Sequence, residues 1–360
     1  MSDKYQTIRV AVTTMRRENK ARHRDIAVRL KLSEAELIAA HVGVSAADPI
    51  AILQATCLRK DWPEIIASLE PLGEVMALTR NASCVHEKTG VYREVSHKNQ
   101  IGLVLGGEID LRIFYQQWAH GFAVTEQTEQ GVQRSLQFFD SLGVAIHKIF
   151  MTPHSKLTAY EELVKRFTAH EQMVGITPTM PAAKNPELAD TDIDVAGLRQ
   201  AWASLRDTHE FYGLLQKFSV SRTQALRLAE PRFVQQLEVS SCQELLQSAA
   251  NEGMPVMVFV GNPGMTQIHS GAIKKIAAMG SWINVLDPGF NLHLREDHIA
   301  SSWVVKKPTV DGLVTSLELF DAEGASIAMF FGERKPGKPE LCEWRALIEN
   351  LIQESEPCPV

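Results

Sequence analysis

The chain has 360 residues, more than a single hydrophobic core usually serves, so two or three domains are expected. Hydrophobic residues make up 45% and charged residues 22%, which is ordinary for globular proteins and excludes extended disorder. The formal net charge of −6 argues against broad binding of nucleic acids or of anionic membranes.

Targeting signals and cysteine usage indicate the compartment. The chain has no run of the roughly 18 apolar residues that a membrane span needs, and its start has no apolar core of a signal peptide. Its five cysteines are scattered and form no C-x-x-C pair, which is typical of proteins in a reducing compartment. We therefore expect a cytoplasmic chain with no stable membrane insertion.

The first half of the chain predicts helices around an antiparallel sheet. Residues 23–42 indicate a helix, a break and a second helix that Ser33 caps. Residues 73–87 and 135–151 indicate strands on either side of turns, and residues 156–172 indicate a closing helix.

The second half repeats this order after a segment rich in Pro, Ala and Asp. That segment, residues 176–194, lacks periodicity and predicts a linker between an N-terminal repeat (1–175) and a C-terminal repeat (195–360). In the second repeat, residues 210–230 predict a helix pair with Ser221 as a cap. Residues 254–269 and 316–332 predict strands and turns, and residues 339–353 predict the last helix.

An internal repeat supports this division. Shifting the chain by 181 positions superposes residues 81–146 on 262–327 without a gap. Glycines and an F-D-x-x-G turn dominate the identities, which include Asn81 with Asn262, Phe139-Asp140 with Phe320-Asp321, and Gly143 with Gly324. We therefore predict an α+β fold with a tandem duplication, each half being a largely antiparallel sheet flanked by helices.

Two local patterns have more than one interpretation. The GNPG segment at residues 261–264 resembles a phosphate-binding loop, but its place in the repeat favours a turn at a strand end. The helix pair at residues 23–42 resembles a helix-turn-helix, but its counterpart in the second half favours a helical hairpin packed on a sheet, so DNA recognition is disfavoured.

Among the twelve histidines, His209 is distinguished by its surroundings. It follows the linker in a predicted helix with apolar neighbours, facing the expected gap between the two halves. A neutral imidazole placed there suits an axial ligand of haem iron. The residues alone favour the other interpretation, a helix histidine hydrogen-bonded at a domain interface.

Several long segments resemble the bacterial cytoplasmic haemin-utilisation proteins of the HemS/ChuS/PhuS type. The resemblance covers nearly the whole chain and is carried by SCVHEKTGVY, EIDLRIF, FFDSLGVAIHKIF, RDTHEFYGLLQKF, SVSRTQALRL, HSGAIKKIAAMGSWINVLDPGFNLHL and FFGERKPG. It implies a duplicated α+β protein that binds b-type haem non-covalently in a cleft between the halves. The sequence has no C-x-x-C-H motif for covalent attachment.

The resemblance also implies roles for individual residues. His209 matches the axial iron ligand, and Arg112 in D-L-R-x-F matches a distal residue that would also be catalytic in an enzyme. The remaining matches are aromatic or basic positions around the porphyrin and its propionates: Phe114, Arg222, Phe259, Lys307, Phe331 and Arg334.

The sequence departs from the family pattern in two respects. Met329 and Phe331 stand where some relatives have Gln and Tyr. In the repeat, Arg112 aligns with His293 and His209 with Ala21, so the halves are not equivalent and one principal haem site is expected. A weaker second site near His86 is left open.

Three functions remain from this sequence. The first is a haem carrier that receives haem after import and passes it to a haem oxygenase, with that oxygenase or an inner-membrane importer as partner. The second is an enzyme that opens the porphyrin oxidatively with an external reductant, and the third is a haem-responsive DNA-binding regulator. The loss of Gln and Tyr at positions 329 and 331 favours the carrier, and the sequence gives no oligomeric state.

Overall fold

The computed structural model describes residues 2–19, 21–45, 48, 52–180, 186–334 and 337–355. The chain forms two compact units. Unit 1 consists of Met1–Arg80, Glu87–Ala182 and Asn262–Gln267, and unit 2 consists of Asn81–His86, Ala183–Gly261 and Ile268–Val360. Residues 181–185 of the predicted linker lie outside the described residues, and the domain boundaries drawn from the sequence stay a prediction.

Unit 1 has five helices, counted over the described residues. They are α1 (Ser2–Asn19), α2 (His23–Leu30), α3 (Glu34–Ala39), α4 (Trp62–Ala67) and α5 (Leu157–Phe167). Its strands are β1 (Leu53–Cys57), β2 (Gly73–Arg80), β4 (Val95–Lys98), β5 (Ile101–Leu105), β6 (Asp110–Phe114), β7 (His120–Thr128), β8 (Gly131–Phe139) and β9 (Ala145–Ser155), while β3 (Cys84–Gly90) is divided between the units. The strands pair antiparallel in the orders β1-β7-β8-β9-β2 and β4-β5-β6.

Unit 2 repeats this arrangement. Its helices are α6 (Val195–Ala203), α7 (Glu210–Phe218), α8 (Arg222–Leu228), α9 (Ser241–Glu252) and α10 (Cys342–Ser355). Its strands are β10 (Val234–Leu237), β11 (Pro255–Asn262), β13 (Ile276–Met279), β14 (Trp282–Asp287), β15 (Phe290–Arg295), β16 (Ser301–Thr309), β17 (Gly312–Phe320) and β18 (Ser326–Gly332), while β12 (Met265–Ala272) is divided between the units. The antiparallel orders are β10-β16-β17-β18-β11 and β13-β14-β15.

The strand registers confirm the predicted duplication. Val124 lies opposite Ser135 in unit 1, and Val305 lies opposite Ser316 in unit 2, which is the same pairing at an offset of 181 residues. The predicted F-D-x-x-G turns also recur, since Asp140 accepts hydrogen bonds from the backbone N–H groups two and four residues on, and Asp321 does the same. The α+β fold with a tandem duplication is therefore confirmed.

Two helices begin at the serine caps that the sequence predicts. Ser33 and Ser221 cap α3 and α8 as predicted, because each side chain accepts a hydrogen bond from the N–H group three residues on. The last helix of each unit buries one apolar stripe, which in α10 consists of Trp344, Leu347, Ile348 and Leu351. Full burial of one such side chain contributes about 1.5–3 kcal/mol, so this stripe is a major source of cohesion in unit 2.

The helix pair α2–α3 packs on the core of unit 1 through Ile26, Ala27, Leu37 and Ile38, all of them buried. This arrangement fits the predicted helical hairpin packed on a sheet. In the described part of the chain, no helix is both long enough and apolar enough to cross a membrane.

Candidate functional site

His209 lies in the short segment between α6 and α7. The sequence predicted a helix through this residue, but α6 ends at Ala203 and His209 occupies the N-cap position of α7. The interruption has a local cause, because acidic side chains take up the backbone N–H groups. Glu210 Oε2 accepts from the N–H groups of Arg206 and Asp207, at 2.9 and 3.3 Å, and Asp207 Oδ1 accepts from the N–H group of His209 at 2.9 Å.

The imidazole of His209 is held by the same carboxylate. Its Nδ1 lies 2.6 Å from Asp207 Oδ1, and hydrogen bonds from His209 lower the pKa of Asp207. Because an ionised carboxylate only accepts hydrogen bonds, Nδ1 carries the hydrogen and Nε2 of a neutral ring keeps its lone pair. The His209 side chain is 88% exposed, so the ring can reach a ligand at the surface of unit 2.

A buried carboxylate joins two of the predicted propionate-binding cations. Glu318 accepts hydrogen bonds from Nε and Nη2 of Arg222, at 2.6 and 2.8 Å, and from Nζ of Lys307 at 2.7 Å. The hydroxyl of Ser316 donates a further hydrogen bond to Glu318 at 3.0 Å. Glu318 is not among the residues predicted from the sequence, because the pattern of residues in its strand does not indicate a buried charge.

The charges of this trio depend on one another. Burial raises the pKa of Glu318, but the charges of Arg222 and Lys307 outweigh that effect and hold it well below its usual range. Burial lowers the pKa of Lys307 to about 8, against the opposing effect of Glu318. Both cations also lie over the ring of Phe211 on α7, at 5.0 Å for Arg222 and 4.7 Å for Lys307. The trio is therefore packed against the helix that begins directly after His209.

The predicted aromatic residues lie beside this trio. The rings of Phe259 and Phe331 meet edge to face with centroids 5.0 Å apart, and Phe259 lies opposite Met329 in the pairing of β11 with β18. Met329 Sδ is 3.4 Å from Nη2 of Arg222. Of the two departures from the family pattern, Met329 thus contacts Arg222 and Phe331 packs against Phe259.

Arg334, the third predicted cation of unit 2, belongs to the surroundings of Asp207. Its Nη2 is 3.9 Å from Asp311 Oδ2, and its positive charge contributes to the lowered pKa of Asp207. The N–H group of Val310 donates to the carbonyl of Arg206 at 3.0 Å. This bond ties the β16–β17 turn to the segment that carries His209.

The two predicted distal residues belong to unit 1. Arg112 and Phe114 lie on β6, where Arg112 is ion-paired with Asp110 and the Phe114 N–H group donates to the carbonyl of Gly264 at 3.0 Å. Six of the eight predicted residues belong to unit 2, and Arg112 and Phe114 belong to unit 1. The distal roles of Arg112 and Phe114 stay predictions.

His86, the suggested centre of a weaker second site, belongs to unit 2 by its contacts although it precedes the linker. Its side chain is fully buried, and its ring centroid is 5.0 Å from that of Phe290. Ligation of iron by His86 would require this packing to open. In the part of the chain that the structure describes, no group of three His, Cys, Asp or Glu side chains is arranged to hold a metal ion.

Each unit is a copy of one helix-and-sheet repeat, and the candidate residues of unit 2 include an exposed histidine, a cation pair on one buried carboxylate and two aromatic rings in contact. These features define a duplicated α+β protein suited to an anionic, planar ligand. Residues 31–167 and 219–351 both match the family model of the haemin-degrading HemS.ChuX domain. The chain belongs to this family, and each half of it contains one family domain.

Proteins that cover nearly the whole chain support this membership. The hemin transport proteins HmuS of Yersinia pestis and HemS of Yersinia enterocolitica are each 39% identical to it, over 92% and 91% of the chain and 93% and 92% of their own lengths. The crystal structure of holo-PhuS, a heme-binding protein from Pseudomonas aeruginosa, superposes with a TM-score of 0.91 at 45% identity, covering 96% of this chain and 98% of its own. The heme degrading enzyme ChuS of Escherichia coli O157:H7 superposes with a TM-score of 0.87 at 34% identity, covering 96% and 99%.

Proposed function

We propose that this chain is a cytoplasmic haem-binding protein that accepts b-type haem after import and delivers it to a separate haem oxygenase. The observation that carries the proposal is the state of His209, an exposed imidazole whose Nδ1 is occupied by Asp207 and whose Nε2 is available. A histidine ligand whose second ring nitrogen donates to a carboxylate is the usual arrangement at protein metal sites.

The other candidate residues have roles that suit haem. Arg222 and Arg334 supply positive charge for the propionates, and Phe259 and Phe331 supply an aromatic wall for the porphyrin. Arg112 and Phe114 are assigned to the opposite face of the ring. Binding is non-covalent in this proposal, since the sequence has no C-x-x-C-H motif.

The relatives support two fates for the bound haem. Two are hemin transport proteins, whereas ChuS is a heme degrading enzyme. Oxidative opening of a porphyrin requires ordered hydrogen bonds that stabilise charge near the reacting atoms. Met329 places a thioether on Nη2 of Arg222 and Phe331 packs against Phe259, so the hydrogen bonds of the Gln and Tyr that some relatives have here are missing. This apolar lining favours delivery over degradation.

An optical titration with ferric haem tests the iron ligand. We expect His209→Ala to lose the Soret band of histidine-ligated haem and to bind haem more weakly, whereas His170→Ala, at an exposed histidine, behaves like wild type. An unchanged Soret band and affinity in His209→Ala would contradict the assignment.

A second experiment separates delivery from degradation. Haem-loaded protein is incubated with a reductant and catalase, which removes the free peroxide that destroys haem without enzymatic help. We expect the haem spectrum to persist until a haem oxygenase is added. Formation of a bilin with release of CO by the protein alone would establish the degrading activity instead.

A further inference from the structure

The three side chains of the buried trio differ in their access to a ligand. The Arg222 side chain is 25% exposed, whereas those of Lys307 and Glu318 are 4% and 0% exposed. Nε and Nη2 of Arg222 are occupied by Glu318, so its remaining donors are those a ligand can reach. Within the trio, Arg222 is therefore the group placed to contact a bound carboxylate.

Lys307 has a different role from Arg222 in the cluster. Its ammonium donates a hydrogen bond to Glu318 Oε1 and lies over the Phe211 ring. Without Lys307, the negative charge of Glu318 would cancel the positive charge of Arg222, and the pair would have no net attraction for an anion. Two cations and one carboxylate give the cluster a net charge of +1, which restores that attraction.

Glu318 in turn makes the pair of cations possible. Arg222 and Lys307 share the face of one aromatic ring, and without a carboxylate between them their charges repel. A buried ammonium without a partner loses its proton readily, because burial favours its neutral form. Glu318 therefore both holds Arg222 in place and keeps Lys307 charged.

The positions of unit 1 that are equivalent to Lys307 and Glu318 carry other residues. At an offset of 181 residues, Glu126 stands at the position of Lys307 and Gln137 at that of Glu318. Glu126 is ion-paired with Arg16 at 2.5 Å, and Gln137 donates to Ser135 at 3.0 Å. Unit 1 has a buried trio on other residues, in which Arg80 and Lys148 bind Glu34. What is specific to unit 2 is the placement of the trio on Arg222, Lys307 and Glu318.

We propose that Lys307 and Glu318 are positioning residues that set the net charge of the cluster, and that Arg222 makes the contact to a carboxylate of the ligand. This inference rests on the proposed function, because it takes the ligand to be a porphyrin that bears carboxylates. The family resemblance implies that Lys307 contacts a propionate. In this proposal Lys307 instead supports Arg222, which makes that contact.

Three isosteric variants test the role of the net charge. Lys307→Met lowers it from +1 to 0. Glu318→Gln keeps it near +1, because Lys307 without its carboxylate favours the neutral form, and the double variant also has +1, from Arg222 alone. Affinity is measured for metal-free protoporphyrin IX, which has both propionates but needs no iron ligand, and for its dimethyl ester. Circular dichroism and thermal unfolding check that each variant folds.

We expect protoporphyrin IX to bind Lys307→Met on the order of tenfold more weakly than wild type, as one unit of charge at several ångströms and intermediate dielectric implies. We expect Glu318→Gln and the double variant to bind protoporphyrin IX with affinities close to that of wild type. The dimethyl ester should bind all four proteins alike, because it has no negative charge for the cluster to recognise.

A double variant as weak as Lys307→Met would overturn the inference, since it would mean that Lys307 itself contacts the ligand. Equal affinities of all four proteins for protoporphyrin IX would overturn it as well. Should either single variant fail to fold, the double variant still decides, because it keeps the charge and removes both buried ions. Failure of wild type to shift the Soret band of ferric haem would instead contradict the proposed function.

Discussion

Asn81 and Asn262 make the same hydrogen bonds at equivalent positions of the repeat. Asn81 Nδ2 donates to the carbonyls of Gly261 and Ile327, at 3.2 and 2.8 Å. Asn262 Nδ2 donates to the carbonyls of Arg80 and Ile146, at 3.0 and 2.8 Å. Each Asn also accepts backbone N–H groups of the turn that follows it. Asn81 therefore stabilises unit 2 and Asn262 stabilises unit 1, although each lies in the half of the sequence that forms most of the other unit.

The first prediction concerns these two side chains. Asn81→Ala and Asn262→Ala should each lower the free energy of unfolding by about 2–4 kcal/mol, because each removes several hydrogen bonds and leaves buried backbone groups without partners. Urea unfolding monitored by circular dichroism measures the change. Asn350→Ala, at an exposed position of α10, serves as the control and should have little effect. A cost below about 0.5 kcal/mol for either turn variant would mean that water replaces these bonds.

The sequence was sufficient to predict the repeat, most helices and the strands on either side of the turns, because local signals determine them. Gly143 and Gly324 have φ values of +80° and +73°, which L side chains rarely adopt, so the turn glycines recur at a fixed spacing. The serine caps are likewise predictable from a few residues that are adjacent in the sequence. The exchange of residues 81–86 and 262–267 between the units depends on distant pairing, and no local pattern indicates it.

The candidate site was predictable only in part for the same reason. The resemblance supplied Arg222 and Lys307, but the carboxylate that binds them, Glu318, is 96 residues from Arg222 in the chain. Likewise, the helix predicted through His209 fails because Asp207 and Glu210 cap backbone groups, which competes with helical hydrogen bonding. A polar side chain can either continue a helix or end it, and periodicity does not distinguish the two.

The second prediction concerns the contact between Gly332 and Trp344. A Cβ atom at Gly332 would lie 2.6 Å from Cγ of Trp344, whose fully buried indole donates to the carbonyl of Thr315 at 3.0 Å. Because the ring has no room to move, Gly332→Ala should cost about 1–3 kcal/mol through overpacking. Gly213→Ala is the control, since Gly213 lies in α7 with nothing within 4 Å of the added methyl group. Thermal unfolding should show a lower Tm for Gly332→Ala and an unchanged or higher Tm for Gly213→Ala.

The third prediction compares the two serine caps. Ser33 accepts from the N–H group of Glu36 at 3.2 Å, and the Glu36 carboxylate accepts from the Ser33 N–H group at 2.8 Å, which completes a capping box. Ser221 accepts from the N–H group of Gln224 at 3.1 Å, but the Gln224 side chain bonds elsewhere. Ser33→Ala should therefore cost about 1–2 kcal/mol and Ser221→Ala about 1 kcal/mol or less. A larger loss in the free energy of unfolding for Ser221→Ala than for Ser33→Ala, measured by urea unfolding, would show that the capping box contributes nothing to the stability of unit 1.

The last prediction concerns acid stability and starts from His147, which is buried in unit 1. Its Nδ1 lies 2.9 Å from Thr79 Oγ1, and its Nε2 lies 2.6 Å from the hydroxyl of Tyr92. Thr79 donates its own hydrogen to Gln267 Oε1 at 2.8 Å, so Nδ1–H donates to Thr79 and Nε2 accepts from Tyr92. Burial lowers the pKa of His147 to about 3, and burial also lowers that of His41 to about 4.

Both histidines are therefore neutral in the folded chain and charged in the unfolded chain below a pH of about 6.5. The unfolded chain binds more protons, so the free energy of unfolding should fall as the pH drops from about 6.5 towards 4, by about 1.4 kcal/mol per pH unit for each histidine. Urea unfolding at several pH values between these limits measures the slope. His147→Gln should reduce it by close to one proton, whereas His170→Gln, at an exposed residue, should leave it unchanged. An unaltered slope in His147→Gln would show that the folded unit protonates this ring without cost.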